Sequence, residues 1–367
     1  MVQTSLHQSF GMLHDPRINR CKRHALTDII ILSVLAVLSG AESYDSIELF
    51  GKLNIEFLKQ FLSLKNGIPS HDTINRVFQI LNPRQFERCF ITWAKSLKEA
   101  GLTERVTAID GKTVRGSRDS FHDKSPLHTV HAWSVENDIC SGQIECGEKT
   151  NEITVIPEIL DLIEMKGSII TIDAMGTQRA IAAKIINNGG DYILAVKGNQ
   201  GSLEEEVQTT CKRNRPIADS CTVEKGHGRV ETRRCEVFEK GLIADADGRW
   251  AKLTTVIKIT STRELPAKTE TQERFYISSL EKECDFNKFI REHWCVENKL
   301  HWTLDMTFRE DEQRKRASHA AKNFAVVRKI GLNLLKKDNG KESLRSKRLK
   351  AGWDKSYLTK LLQIYSD

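Results

Sequence analysis

Val106-Thr107-Ala108-Ile109-Asp110-Gly111 and, further along the chain, Ser168-Ile169-Ile170-Thr171-Ile172-Asp173-Ala174-Met175-Gly176 share one grammar. In each, a β-branched apolar run stops at an aspartate, and a glycine follows within three residues. Runs of this kind read as buried strands, since an all-apolar strand is covered on both faces. In open α/β sheets the functional groups gather where strands end. A carboxylate there is costly unless it is exposed or bound to a cation. Each aspartate alone could serve only as a turn former or a helix cap. As a pair on neighbouring strands they repel one another unless a divalent cation lies between them.

Working outward, the segment around these strands alternates between strand and helix. Leu127 to Val135 alternates in polarity, and Ser141 to Cys146 follows after a turn at Glu136-Asn137-Asp138. A helix is expected from Pro157 to Met165, with proline in the first turn where its missing N–H costs nothing. A further helix, Gln178 to Asn188, ends at Gly189-Gly190 and leads into a strand from Tyr192 to Lys197. The expected fold class is α/β: a mixed sheet flanked by helices across 101–335. From about 199 to 280 the rhythm fails. A helix from Ser202 to Asn214 precedes strands at Cys221 to Phe238, Leu253 to Ser261 and Arg274 to Ser279, which together read as a β-rich insertion. From Asp285 the chain is expected to be helical through Leu335.

Residues 1–100 read as a helical N-terminal domain. Apolar positions recur at helical spacing from Leu26 to Ala41 and from Ser46 to Leu62, Ser70 or Asp72 caps a helix from Thr73 to Leu81, and Gly101 ends one from Arg84. The apolar run Ile29 to Leu38 is about half the length that a bilayer span requires, so it reads as a buried helix. The first residues lack an apolar stretch with a small-residue cleavage site, and the nine scattered cysteines form no CxxC pair. Reduced thiols, no membrane and a cytoplasmic location are the expectation.

Net charge is +7, but its distribution says more. From Gln313 to Lys350 there are thirteen Lys/Arg against Asp338 and Glu342 alone. That density is an electrostatic footprint for a polyanion, or else a solvated helix face. Residues 336–367 read as a basic C-terminal tail.

The densest functional stretch is Arg291-Glu292-His293-Trp294-Cys295-Val296-Glu297-Asn298-Lys299-Leu300-His301-Trp302. On a regular α-helix His293, Glu297 and His301 share a face. Two chemistries fit. Glu297 joins Asp110 and Asp173 as an all-oxygen set suited to Mg²⁺, or the two histidines with Glu297 bind a softer metal such as Zn²⁺. The spacing of the zinc hydrolases, HExxH, is absent.

With these acids in order, the chain resembles the H-repeat-associated transposases of enterobacteria and their insertion-sequence relatives, whose catalytic core is ribonuclease-H-like. The matching strings are Ala108 to Gly116, Thr171 to Gln178, Lys225 to Arg233 and His293 to Trp302, with Pro69-Ser70-His71-Asp72-Thr73 resembling the family's accessory N-terminal domain. The resemblance implies a DDE triad at Asp110, Asp173 and Glu297 holding two Mg²⁺ ions (Mn²⁺ can substitute). It implies binding of double-stranded DNA at transposon ends and target, cleavage and strand transfer, and a homodimer on DNA. Lys112, Arg115, Lys197, Arg229 and His293 are the expected DNA contacts. Where other transposases with a β-rich insertion carry Tyr and Arg ahead of the glutamate, this chain has Ile290 and His293. The competing functions are a transposase-derived DNA-binding protein that no longer cuts, and a metal-dependent nuclease or zinc hydrolase centred on His293, Glu297 and His301.

Overall fold

The structure is a computed structural model that describes residues 4–98, 105–121, 124–147, 150–226, 228–240, 243, 249–266 and 268–363. Gly101, the expected helix stop, and His227, within one of the family strings, lie outside the described residues.

The first segment is helical: α1 (Ser5–Phe10), α2 (Leu26–Leu38), α3 (Tyr44–Leu53), α4 (Ile55–Leu58), α5 (His71–Ile80) and α6 (Pro83–Ser96). Every residue of α2 except Thr27 is buried, so the apolar run is the centre of a core. Ser70 caps α5 by accepting from the Thr73 amide, and Asn82 caps α6 with Pro83 in the first position.

The sheet opens with β1 (Val106–Val114), β2 (Leu127–Ser134) and β3 (Ile139–Cys146), followed by α7 (Glu152–Leu162), β4 (Ile169–Ile172), α8 (Arg179–Asn187), β5 (Asp191–Val196) and α9 (Gly201–Arg213). Then come β6 (Ala218–Gly226), β7 (Arg229–Glu239), β8 (Thr255–Leu265) and β9 (Lys268–Ser278). All nine form one sheet in the order β3-β2-β1-β4-β5-β9-β8-β7-β6. β1 is antiparallel to β2 and parallel to β4, and β5 runs parallel to β4. This is the ribonuclease-H-like mixed sheet, with helices on both faces. The β-rich insertion extends this sheet: β9 pairs antiparallel with β5 along Phe275–Ser278.

Several expectations are corrected. β1 does not stop at Asp110 but continues to Val114. Its parallel pairing with β4 ends at Ile109↔Ile172, while its antiparallel pairing with β2 runs on. The run from Cys221 to Phe238 is a hairpin, since Gly228 at φ 73° supplies the turn. Pro157 sits inside α7, which starts earlier because Asn151 accepts from the Thr154 amide. The expected helix from Asp285 to Leu335 is α10 (Phe286–His293), a π-helical segment (Val296–His301), α11 (Trp302–Met306) and, after a connection through 307–319, α12 (Ala320–Lys337).

The basic tail is also corrected. Residues 344–363 form α13 (Leu344–Trp353) and α14 (Lys355–Gln363), with Ala351, Tyr357, Leu358, Leu361 and Leu362 buried in the same core as α2, α5, α6 and α12. The first hundred residues therefore share their core with the last fifty. Much of the basic segment points inward. Arg328 and Lys329 approach the fully buried Glu310 at 3.5 and 3.6 Å, and the buried Lys347 lies 3.4 Å from Asp338. Arg314, Arg316, Lys341, Arg345 and Lys350 remain exposed. Among the described residues no helix is long and apolar enough to cross a membrane.

Candidate active site

The sheet's alternation decides where each functional side chain goes. Ile109, Val130 and Ala132 face the core under α7 and α8, whereas Ala108 and Trp133 belong to the core shared with α12 and the π segment. Asp110, two residues beyond Ala108, is on that second face. Past Ile109↔Ile172 the two strands diverge, and Asp110 and Asp173 stand side by side where they part. Asp173 is held by its own turn, its Oδ1 accepting from the Met175 amide at 3.0 Å. A side chain at Gly176 would put its Cβ 2.4 Å from Ile172 Cγ2, so the turn can fold back only with glycine there.

Glu297 arrives from the π segment, whose Val296 and Leu300 are buried while Glu297 is exposed. π-Helical turns are rare and concentrate at functional sites. Asp110, Asp173 and Glu297 line one cleft of about 350 Å³, together with Thr171, Lys197, Arg274, His293 and Trp294. Burial, and then the charges of Asp173 and Glu297, push Asp110 up to about 7. Asp173 is also raised, by burial and by Glu152. The cleft thus carries more negative charge than its own cations offset.

The expected DNA contacts separate into two groups. Lys197 and His293 line the cleft. Lys197 is exposed at the end of β5. His293 faces Thr171, its Nδ1 3.0 Å from Oγ1, and burial brings its pKa down to about 4, so it offers a neutral ring rather than a charge. Lys112, Arg115 and Arg229 do not line the cleft. Lys112 is buried and donates to both oxygens of Asp305 at 2.7 and 2.8 Å. Arg115 is exposed, and its backbone amide binds Asp311 at 3.1 Å. These bonds pin the 305–311 stretch onto β1. Gly116 is required beside them, because a Cβ would meet the Asp311 carbonyl oxygen at 2.4 Å and that of Gln313 at 2.7 Å. Arg229 stands at the turn between β6 and β7.

The softer-metal arrangement does not form. His293, at the end of α10, reaches Thr171 on β4, and His301, at the end of the π segment, reaches His131 on β2, at 3.0 Å in both cases. Among the described residues no three His, Cys, Asp or Glu side chains are gathered into a preformed metal nest. That holds for the three carboxylates as well, which share the cleft without closing on one point. Their donor chemistry still suits a hard cation: all are oxygens, and burial, then the neighbouring carboxylates, raise Asp110 to about 7.

Three participants were not singled out from sequence. Arg274 stacks on Trp294 at 4.7 Å at the cleft wall. Glu152 crosses under Gly111 to reach His128 at 2.7 Å. A Cβ on Gly111 would sit 2.0 Å from the Glu152 carboxylate, which explains the glycine after the first aspartate. His131, wholly buried opposite Asp110, is the third. Two histidines in an otherwise apolar strand (Leu127-His128-Thr129-Val130-His131) were the available signal.

Comparison with known proteins shows the family of the chain. Residues 101–334 match the family described as Transposase DDE domain, and residues 7–94 match the one described as DDE_Tnp_1-associated. The H repeat-associated putative transposase YhhI of Escherichia coli (strain K12) is 40% identical, covering 99% of this chain and 98% of that protein. The putative protein YbfL of the same strain is 42% identical over the same shares. The putative transposase YncI of Escherichia coli O157:H7 is 38% identical, over 99% of this chain and 95% of its own.

Proposed function

From the DDE transposase family, to which this chain belongs, we propose that it is the enzyme of an insertion sequence, binding the terminal inverted repeats and catalysing strand cleavage and strand transfer. The observation that carries this reading is the cleft itself. Three carboxylates, from within β1, from the end of β4 and from a π turn, far apart in sequence, line it together, and the first is raised to about 7 by burial and by the other two. Carboxylates crowded in this way gain nothing for folding, and their chemistry suits a bound divalent cation.

Asp110, Asp173 and Glu297 would hold two divalent ions, Mg²⁺ or in its place Mn²⁺. When bound, such ions activate an attacking oxygen and stabilise the leaving oxygen of a phosphodiester. The chain's own residues do the rest. Lys197 and Arg274, at the cleft wall, meet backbone phosphates, and the neutral His293 offers a ring nitrogen without adding charge. Trp294 and Tyr276 line the apolar side of the cleft. No side chain here is placed as a covalent nucleophile, so attack falls to water and then to a DNA 3′-hydroxyl. Bringing two DNA ends together calls for a dimer on DNA. The work is done on the bacterial chromosome, in the cytoplasm.

The test is Mg²⁺-dependent nicking of inverted-repeat DNA by purified protein. Asp110→Asn should abolish nicking and leave DNA binding intact. Cleavage surviving in that variant would overturn the triad. A wild-type protein that binds the ends but never cuts, with Mg²⁺ or Mn²⁺, would instead be a transposase-derived DNA-binding protein.

A further inference from the structure

Antiparallel pairing of β1 with β2 sets His131 opposite Asp110 and Thr129 opposite Lys112. Residues paired in this way project from the same face of the sheet. The π segment lays His301 across that face. Its Nε2 lies 3.0 Å from His131 Nδ1, and its Nδ1 lies 3.6 Å from Asp110 Oδ2. His131 Nε2 is in turn 3.1 Å from the Thr129 hydroxyl. Thr129 and His131 are buried and the His301 side chain is 13% exposed. The four groups make one line, Thr129–His131–His301–Asp110, with the Thr129 hydroxyl also 3.4 Å from the Lys112 carbonyl oxygen at its far end.

Proton accounting gives the line a direction. The 3.0 Å approach of His131 Nδ1 to His301 Nε2 has room for one proton between two nitrogens, and a charged ring buried at either place would go unpaired, so the line is read with both imidazoles neutral. A neutral imidazole has one N–H and one bare nitrogen, so the direction of a single link dictates the others. Once ionised, as at alkaline pH or with a cation bound, Asp110 only accepts, and the nitrogen turned to it is His301 Nδ1. That contact attracts only if Nδ1 carries the proton. His301 Nε2 is then bare and accepts from His131 Nδ1–H, and His131 Nε2 is bare and accepts the Thr129 hydroxyl proton at 3.1 Å, the other acceptor in reach, the Lys112 carbonyl oxygen, being farther at 3.4 Å. Every buried group in the line is then satisfied. The distance of 3.6 Å is longer than a hydrogen bond, but contacts of this kind commonly tighten once substrate is bound.

We propose that His131 and His301 are positioning residues for Asp110: a neutral, one-way hydrogen-bond line, rooted at the Thr129 hydroxyl, that presents an N–H to Oδ2 and keeps Oδ1 turned into the cleft. Its consequence for catalysis rests on reading the cleft as a DNA-cutting site, whereas the line itself does not. Partners that orient a metal-binding side chain commonly change activity about 10–100-fold when removed.

The experiment has two arms. The full-length, metal-free protein is labelled with ¹⁵N-histidine and its ring tautomers are read by NMR at alkaline pH. His131 and His301 should both show a protonated Nδ1 and a bare Nε2, the rarer tautomer, with each signal assigned by its loss in His131→Asn and His301→Asn. Where His131→Asn does not fold, His131→Gln serves for assignment. A proton on Nε2 of either ring, or on both of its nitrogens, overturns the line. In the second arm, Thr129→Val should slow nicking about 10–100-fold with end-DNA affinity unchanged, and Thr129→Ser, which keeps the hydroxyl, should restore it. Full activity in Thr129→Val overturns the positioning role. A wild-type protein that cuts nothing overturns the reading of the cleft instead, and the tautomers alone then decide the line.

Discussion

Substituting Gly111 by alanine tests how closely β1 is packed beneath Asp110. The added Cβ would lie 2.0 Å from Glu152 Oε1 and 2.8 Å from His128 Nε2. Both obstacles are side-chain ends, so the carboxylate swings away and its 2.7 Å bond to His128 is lost. A hydrogen bond to a charged group is worth about 1.5–3 kcal/mol. Alanine in a strand regains about 0.5–1 kcal/mol over glycine through the unfolded chain. The net expectation is a loss of about 1–2 kcal/mol, or a fall in Tm of roughly 1–3 °C for a chain of this size. The assay is urea denaturation of the wild type, Gly111→Ala, Glu152→Ala and the double variant. With the carboxylate gone, only the tight contact to the end of the His128 ring remains, so Gly111→Ala should cost at least about 1 kcal/mol less in the Glu152→Ala background. An equal cost in both backgrounds would refute the account of why glycine follows the aspartate.

Asp110 gives a pH signature. Its folded pKa, about 7, lies above the unfolded carboxylate value, so the contribution it makes is present at low pH and is lost as pH rises from about 4 to 7. In EDTA, the wild type should lose stability over that window, by up to about 4 kcal/mol at 1.36 kcal/mol per unit, and Asp110→Asn should flatten the slope; an unchanged slope in denaturation curves would rule the cause out. Gly116→Ala drives a Cβ into two backbone carbonyls and should destabilise by about 1–3 kcal/mol, read as a lower urea midpoint. Truncation after Lys337 removes Leu358, Leu361 and Leu362 from the shared core. The product should be insoluble or lack cooperative melting by circular dichroism, whereas a dispensable tail would leave melting unchanged.

The sheet's central strands were legible because each is a short apolar run bounded by turn residues, a pattern with few other solutions. Ile169–Ile172 is wholly buried, as its composition requires. Asp173 was legible at its end for the same reason. Asp110 was legible as an acid following a buried apolar run but not in its true setting. Whether β1 stops or runs on depends on β2, which pairs with it along Thr107–Val114. The π winding of Val296–His301 left no mark in the spacing of apolar residues, so His293, Glu297 and His301 looked co-facial when they diverge. Arg328, Lys329 and Lys347 counted as surface charge in sequence, since nothing local announces the buried Glu310 and Asp338 that receive them.

Local sequence thus settled what depends on local periodicity and strand-end chemistry: a mixed α/β sheet, helices at the N-terminus, and Asp110 and Asp173 at neighbouring strands. Three things were left to tertiary structure: the joining of the inserted strands to the main sheet, the burial of α13 and α14 among the first helices, and the Thr129–His131–His301 line behind Asp110. Each depends on contacts between residues distant along the chain. Their energy comes from burying apolar area and from satisfying polar groups that burial has stripped of water, and neither is visible until the partner surface is in place.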